Sequence, residues 1–371
     1  MPGIRDIFAR HMDEYLARFG ETMPPWHRRA LRDVVDCRTP AMGGHLQTCD
    51  DCGHLEFVYH SCRSRACPSC HGSETAAWLA DRAGELLPVH YFHMVFTIPK
   101  SLREPLRRNQ TALCGALMRA AAESIQALAA DPRHLGATPA ILAVLHTWGR
   151  NLVWHPHVHC LVTAGGIAAD NTWLEASNPN FLVPVKALSS FFRGRFAALA
   201  RAAAPEADLP DSVFAKGSRW VVHAEPCRAG ASHVIEYLGR YIHRLPVTDH
   251  NIIDSTETTV TFRYTETSTG KKRLMTLPAM EFIRRCLQHV PPPGFHRIRY
   301  YGLWSPASRP QLRQAMLLLA PIRPGLAEAI ATAAETAREA HQAIAICRCP
   351  HCQSRNVHAL ARFRPREHGP P

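Results

Sequence analysis

HPHVHCLVTA, residues His155–Ala164, alternates three histidines with a proline and a valine and then turns wholly apolar. Read as a strand, it projects His155, His157 and His159 from one face, because side chains alternate along extended backbone. Val158, Leu161 and their neighbours supply the packing. Pro156 has no N–H to give to a ladder, which puts His155 at the strand's entrance and His157 and His159 inside it. Two imidazoles at i and i+2 can chelate one divalent ion. His146 is the leading third ligand: it lies in the apolar run AILAVLHTW (Ala140–Trp148), and the short connection GRNLVW makes the two runs an antiparallel hairpin. His93 and His155 are rivals for that position. No aspartate or glutamate stands close in sequence, which argues against a carboxylate-rich two-metal nuclease and for a single ion acting as a Lewis acid.

Outward from the hairpin, IRDIFARHMDEYLARF (Ile4–Phe19) repeats apolar residues at helical spacing and stops at Gly20. YFHMVFTI (Tyr91–Ile98) is a strand. An alanine-rich helix over about Glu104–Ala130 separates it from the hairpin, ending at the loop DPRHLGATP. A helix near Leu188–Ala203, a strand RWVVHAE (Arg219–Glu225) and a helix from about Ser232 to His243 follow, an order that predicts an α+β sandwich. Beyond Pro246, TTVTFRYTET and KKRLMTL flank STGKK, a glycine-containing turn with a basic tip at Lys271 and Lys272. VPPPG at Val290 marks a linker, FHRIRYYGLW (Phe295–Trp304) has the mixture of aromatic and basic residues expected of a surface that stacks on bases and contacts phosphates, and one long helix is expected from about Arg309 to Ile346. These readings divide the chain into an amino-terminal helix and cysteine-rich segment (1–88), a core (89–250), a β-rich basic extension (251–305) and a carboxy-terminal helix with a Cys/Arg-rich tail (306–371).

A net charge of +12 with only five lysines among 43 basic residues points to an anionic partner, and arginine's planar fork suits phosphate. An arginine- and alanine-rich chain is also what a GC-rich genome encodes, so charge alone leaves nucleic acid as one reading among several. No run approaches the roughly 20 apolar residues of a membrane span, and no secretory leader is evident. A soluble, cytoplasmic protein with no membrane partner is expected. In a reducing compartment, its thirteen cysteines point to metal more than to disulfides.

From Cys37 to His71 the chain is too poor in aliphatic residues to build a core of its own. Cys49-x2-Cys52 and Cys67-x2-Cys70, fourteen residues apart, have zinc-ribbon spacing, and zinc binding can replace the missing burial. Cys37, His45, His54, His60 and Cys62 leave room for a second ion or a swapped ligand, with His60 and Cys62 the foremost auxiliaries. Cys349 and Cys352, with Cys347, His351 and His358, make a further candidate knuckle near the carboxyl end.

HVIEYLGRYIHRLP places Tyr237 and Tyr241 one helical turn apart on a common face, with Arg240 and Arg244 beside them as candidate phosphate contacts. A phenol can attack a phosphodiester and keep the DNA end covalently bound. Ordinary packing of amphipathic tyrosines is the competing reading.

Together, CDDCG…HSCRSRACPSC, HMVFTIP, LHTWGRNLVWHPHVH and YLGRY, in this order along the chain, resemble the transposases of the IS91 family. Those are HUH endonucleases, related to ISCR and Helitron transposases. The resemblance covers nearly the whole chain. It implies an HUH core, with a central antiparallel sheet flanked by helices, carrying an amino-terminal zinc segment and a helical carboxy-terminal region. It assigns Mg²⁺ or Mn²⁺ to His157 and His159 with a third ligand, and the spacing to His146 is similar to the three-histidine set of conjugative relaxases. It makes Tyr237 and Tyr241 the nucleophiles of a rolling-circle-like transposition that passes through a 5′-phosphotyrosine. The implied partners are single-stranded DNA and element-terminal hairpins in a bacterial, nucleoid-associated setting. Two rivals stand beside this reading: a zinc-dependent DNA-binding regulator without catalysis, and a metal-dependent phosphoesterase that uses water. Oligomeric state, target sequence and the order of the two tyrosines are not written in the sequence.

Overall fold

The computed structural model describes residues 3–64, 67–70, 72–149, 151–178, 180–218, 220–227, 247–266, 269–345 and 348–364. From the amino end they form helices α1 (Ile4–Phe19) and α2 (Pro25–Asp36), strands β1 (Gly44–Cys49) and β2 (Leu55–Tyr59), helix α3 (Gly72–Ala83) and strand β3 (Tyr91–Thr97). Helix α4 (Arg103–Arg108), a π-helical turn and α5 (Gly115–Ala129) precede β4 (Thr138–Trp148), β5 (Trp154–Ile167), β6 (Trp173–Glu175) and α6 (Val185–Ala203). Then come β7 (Val221–Pro226), β8 (Ile252–Ser255), β9 (Thr259–Thr265), β10 (Lys272–Pro278), α7 (Ala279–Leu287), β11 (Ile298–Gly302), α8 (Arg309–Leu319), α9 (Pro324–Ala345) and β12 (Val357–Phe363).

The central sheet runs β11-β4-β5-β3-β7, antiparallel at every step, with β6 paired to the end of β5. The α+β architecture and the central placement of the histidine strand are as expected. Strand alternation gives the sheet two dry faces. One carries Phe92, Met94, Phe96, Ile141, Ala143, Leu145, Val158, Cys160 and Val162, buried with residues of α5 and α6. The other carries Tyr91, Leu142, Val144 and Leu161, buried with residues of α3, α8 and α9. A sheet covered on both sides needs near-continuous apolar strands, which is what β4 and the second half of β5 are. At one end of the second face, the apolar residues give way to histidines.

A second core joins the amino-terminal helices to the 247–290 stretch. Ile4, Ile7, Phe8, Leu31 and Val34 of α1 and α2 pack with Val260, Phe262, Phe282 and Ile283 of β9 and α7. Asp249 accepts a hydrogen bond from the Ile4 backbone N–H at 2.7 Å, fixing the start of α1 on the same unit. The β8-β9-β10 sheet thus completes the amino-terminal helices, and β11 returns to the central sheet. FHRIRYYGLW is correspondingly not an open stacking surface. Phe295 and Trp304 are buried, Arg299 lies 5.6 Å over the Phe295 ring, and Arg297 reaches the His289 carbonyl at 2.5 Å.

Two expected helices are broken. At Asn109 (φ −121°, ψ 46°) the side-chain amide donates to the Pro105 carbonyl, a local bond that competes with helical pairing and separates α4 from the π turn. Helix α8 ends at Leu319, just before Pro321, whose missing N–H and ring clash prevent continuation, and Pro324 then opens α9. Helices α2, α3 and α7 were not anticipated.

The β4–β5 connection is held from the second core. Leu152 is wholly buried at φ +64°, a left-handed conformation unusual for a branched residue. Its carbonyl accepts from Gln288 Nε2 at 2.8 Å and from His289 Nε2 at 3.1 Å. With His289 Nε2 donating, its Nδ1 accepts from the Thr147 hydroxyl at 3.2 Å. Replacing His289 with alanine leaves buried groups without this partner and should cost about 1–3 kcal/mol. A urea midpoint lowered accordingly, at unchanged slope, is the expected result; an unmoved midpoint would mean that the turn holds itself.

Candidate metal centre on the central strand

Register assembles the histidines. His146 lies opposite His157 and Val144 opposite His159, so β4 and β5 present three imidazoles on one face. Ring centroids are 4.2 Å apart for His146 and His159, 4.8 Å for His157 and His159, and 5.3 Å for His146 and His157. One ligand nitrogen from each falls within 4.8 Å of the others. Burial holds all three below the ordinary histidine range, His159 down to about 2. Neutral imidazoles keep the lone pair that a metal ion requires.

Hydrogen bonds fix which nitrogen carries it. His157 Nδ1 lies 2.7 Å from the His155 carbonyl, which can only accept, so the proton sits on Nδ1 and the lone pair on Nε2. For His159 the tautomer is set two strands away. Glu225 on β7 is opposite His93 on β3, and its carboxylate lies 3.2 Å from His93 Nδ1. The hydrogen bond from His93, with a second from His223 Nε2 at 3.2 Å, holds this carboxyl below its usual range and keeps it an acceptor. His93 therefore donates from Nδ1 and accepts at Nε2 from His159 Nδ1, 2.9 Å away. The two rings lie 8° from parallel with centroids 5.1 Å apart, consistent with meeting edge to edge. His159 is left with its lone pair on Nε2. Metal-binding histidines are oriented by this kind of carboxylate and carbonyl support.

Of the two rivals for the third position, His93 is one step behind His159. His155 is next to His157, and burial lowers it to about 4. Arg103, at the start of α4, lies where its charge depresses both His155 and His157, and it has no carboxylate partner among the described residues. Neither Arg103 nor Glu225 was indicated by the sequence: no motif contains them, and they meet the histidines only through the fold. Tyr237, Tyr241, Arg240 and Arg244 lie outside the described residues. Lys271 and Lys272 are exposed at the β9–β10 turn.

The four ribbon cysteines do not form one set. Cys67 and Cys70 gather with Cys37 and Cys62, while Cys49 and Cys52 gather with Cys349 and Cys352. Of the two auxiliaries, Cys62 enters the first cluster, its sulfur 3.6 Å from that of Cys70; His60 enters neither and lies beside His45. A tetrahedron with Zn–S bonds of about 2.3 Å has S···S edges of about 3.8 Å, so both clusters have zinc dimensions. Cys62, donating to Cys67, holds the Cys67 thiol at about 5, below the usual thiol range.

Comparison with known proteins agrees with this picture. Residues 140–311, which include the three histidines, match a family model described as "Putative transposase". Residues 7–98 match one described as "Transposase zinc-binding domain", so the chain carries a zinc-binding domain that takes in both ribbon pairs, Cys37 and Cys62. "Putative transposase y4qJ" of Sinorhizobium fredii (strain NBRC 101917 / NGR234) is 41% identical over 318 residues, covering 81% of this chain and 80% of that protein. "Transposase for insertion sequence element IS801" of Pseudomonas savastanoi pv. phaseolicola is 30% identical over 285 residues, covering 72% and 68%. No solved structure matches significantly. Among the described residues, no helix is long and apolar enough to cross a membrane. With its zinc-binding domain, its transposase-family match and these relatives, the chain belongs to the IS91 family of transposases.

Proposed function

We propose that this transposase cuts single-stranded DNA at the ends of its insertion sequence by tyrosine attack and transfers the held strand. The observation that carries the reading is the cluster of His146, His157 and His159 on the central strand, within a chain of transposase ancestry. A regulator needs no trio of neutral, oriented imidazoles on the working face of its sheet.

The donor set fits one divalent ion through His146, His157 Nε2 and His159 Nε2. When bound, that ion polarises the scissile phosphate and stabilises the charge that grows on its oxygens. Three imidazoles without a carboxylate favour Mn²⁺ over the harder Mg²⁺. Arg103, next to His155 and His157 and without an acidic partner among the described residues, supplies a second positive group for a phosphate. The phenolic oxygen of Tyr237 or Tyr241 attacks phosphorus as the bond to O3′ breaks. The products are a 5′-phosphotyrosine and a free 3′-OH, the phenol giving up its proton to solvent and the departing O3′ taking one from solvent. Bond energy stored in the ester drives the later rejoining, and the second tyrosine can accept another strand. Cys37, Cys62, Cys67 and Cys70 hold structural zinc. Terminal hairpins, with the exposed Lys271 and Lys272 as phosphate contacts, are the proposed DNA partners.

The test is incubation of purified protein and Mn²⁺ with 3′-labelled single-stranded DNA carrying the element's termini. A covalent adduct that survives denaturation is expected, and it should disappear in the Tyr237→Phe/Tyr241→Phe double variant. Cleavage without adduct would show a hydrolase, and neither product would show a regulator. Adduct persisting in the double variant would move the nucleophile to another residue.

His157→Ala should abolish cleavage with zinc content unchanged. Glu225→Ala should raise the Mn²⁺ concentration needed for half-maximal cleavage by roughly 10–100-fold, because the tautomer of His159 is no longer fixed. Glu225→Gln, whose amide oxygen still accepts from His93, should recover most of that loss. Equal defects in the alanine and glutamine variants would mean that charge is what matters, and no defect in either would remove Glu225 from the site.

A further inference from the structure

We propose that Cys49, Cys52, Cys349 and Cys352 form a second, composite zinc site that fastens the two ends of the chain together. Cys349 and Cys352 lie beyond both matched stretches, 7–98 and 140–311. Their sulfurs stand 3.6 Å from those of Cys52 and Cys49 respectively, and all four lie within 4.8 Å of one another. That is too far for a disulfide, whose sulfurs are about 2.05 Å apart, and close to the edge of a zinc tetrathiolate.

The two halves of the site have the same backbone. In the first, the Cys49 N–H donates to the His54 carbonyl at 3.0 Å, and the Gly53 N–H donates to the Cys49 carbonyl at 2.8 Å. In the second, the Cys349 N–H donates to the Ser354 carbonyl at 2.9 Å, and the Gln353 N–H to the Cys349 carbonyl at 2.9 Å. The residue after the second cysteine is left-handed in both, Gly53 at φ +69° and Gln353 at φ +62°. Glutamine adopts that conformation at a steric cost that glycine avoids, so something must hold the carboxy-terminal knuckle in the fold of its partner. Four thiolates around one ion would do so, the thiols releasing their protons to solvent as the four Zn–S bonds form.

The surroundings are built for the same junction. Asp51 accepts from the Ser354 hydroxyl and, at 2.9 Å, from Asn356 Nδ2, while Asp50 lies 3.2 Å from His358 Nδ1. His54 and His351 face each other at 5.8 Å with planes 10° apart. Beyond the knuckle, β12 adds to β1 and completes the β12-β1-β2 sheet, with Phe363 meeting Phe57 and Tyr59. Most side chains of β12 are exposed, so apolar burial contributes little to docking this strand, and the cysteines just before it lie 303 and 297 residues from their partners. A shared ion supplies the missing interaction.

The test uses full-length protein, with zinc counted after a mild chelator wash and amide exchange followed by mass spectrometry. Cys349→Ser/Cys352→Ser should lose one zinc per chain. It should also speed exchange in 357–363 at least 10-fold and leave 91–97 and 154–167 protected, which shows that the rest remains folded. Cys352→His, which preserves a tetrahedral donor set, should keep both the zinc and the protection. Unchanged zinc content in the double serine variant, or unchanged exchange in 357–363 when that zinc is lost, would overturn the proposal.

Discussion

Pairing of β4 with β5 is the interaction on which the chemistry depends. Antiparallel register puts His146 opposite His157 and Val144 opposite His159, which turns three imidazoles to one side and Leu145, Val158 and Cys160 to the other. A slip of one residue would send the imidazoles into an apolar core and its aliphatic residues to the working face. The hairpin is therefore pinned at its turn by Gln288 and His289, which lie just beyond α7 and hold the left-handed Leu152. The second core thus positions the first, even though it is assembled from the amino-terminal helices and the distant 247–290 stretch.

Orientation comes from a further layer of contacts. Buried imidazoles are neutral, and a neutral imidazole binds metal through only one nitrogen, so the partner of the other nitrogen decides the geometry. The His155 carbonyl does this for His157, and the Glu225–His93 pair does it for His159. The carboxylate stays outside the histidine cluster and acts on it only through His93.

How far the sequence could be read follows from the range of each interaction. The histidine stripe was legible because strand alternation is local, and His146 because a short connection makes neighbouring strands pair. The metal dimensions of the cysteines were legible too, but their grouping was not: spacing suggests that nearby pairs share an ion, whereas Cys49 and Cys52 meet partners 303 and 297 residues away. Glu225 and Arg103 reach the site through the fold, so no motif marks them. Phe295–Trp304 misled for a different reason. Aromatic and basic residues describe a stacking surface and a half-buried edge strand equally well when arginines such as Arg297 reach out to backbone carbonyls. The helix expected over 309–346 failed because its apolar pattern continues through Pro321 and Pro324 while its backbone cannot.

The central claim is that three imidazoles, with tautomers set by their hydrogen bonds, hold one divalent ion on β4 and β5. Its most direct test is electron spin-echo envelope modulation on the full-length protein loaded with one equivalent of Mn²⁺. Modulation from directly bound imidazole nitrogen is the predicted result, diminishing in each of the His146→Ala, His157→Ala and His159→Ala variants. A spectrum with oxygen ligands alone, or one unchanged by all three substitutions, would contradict the account.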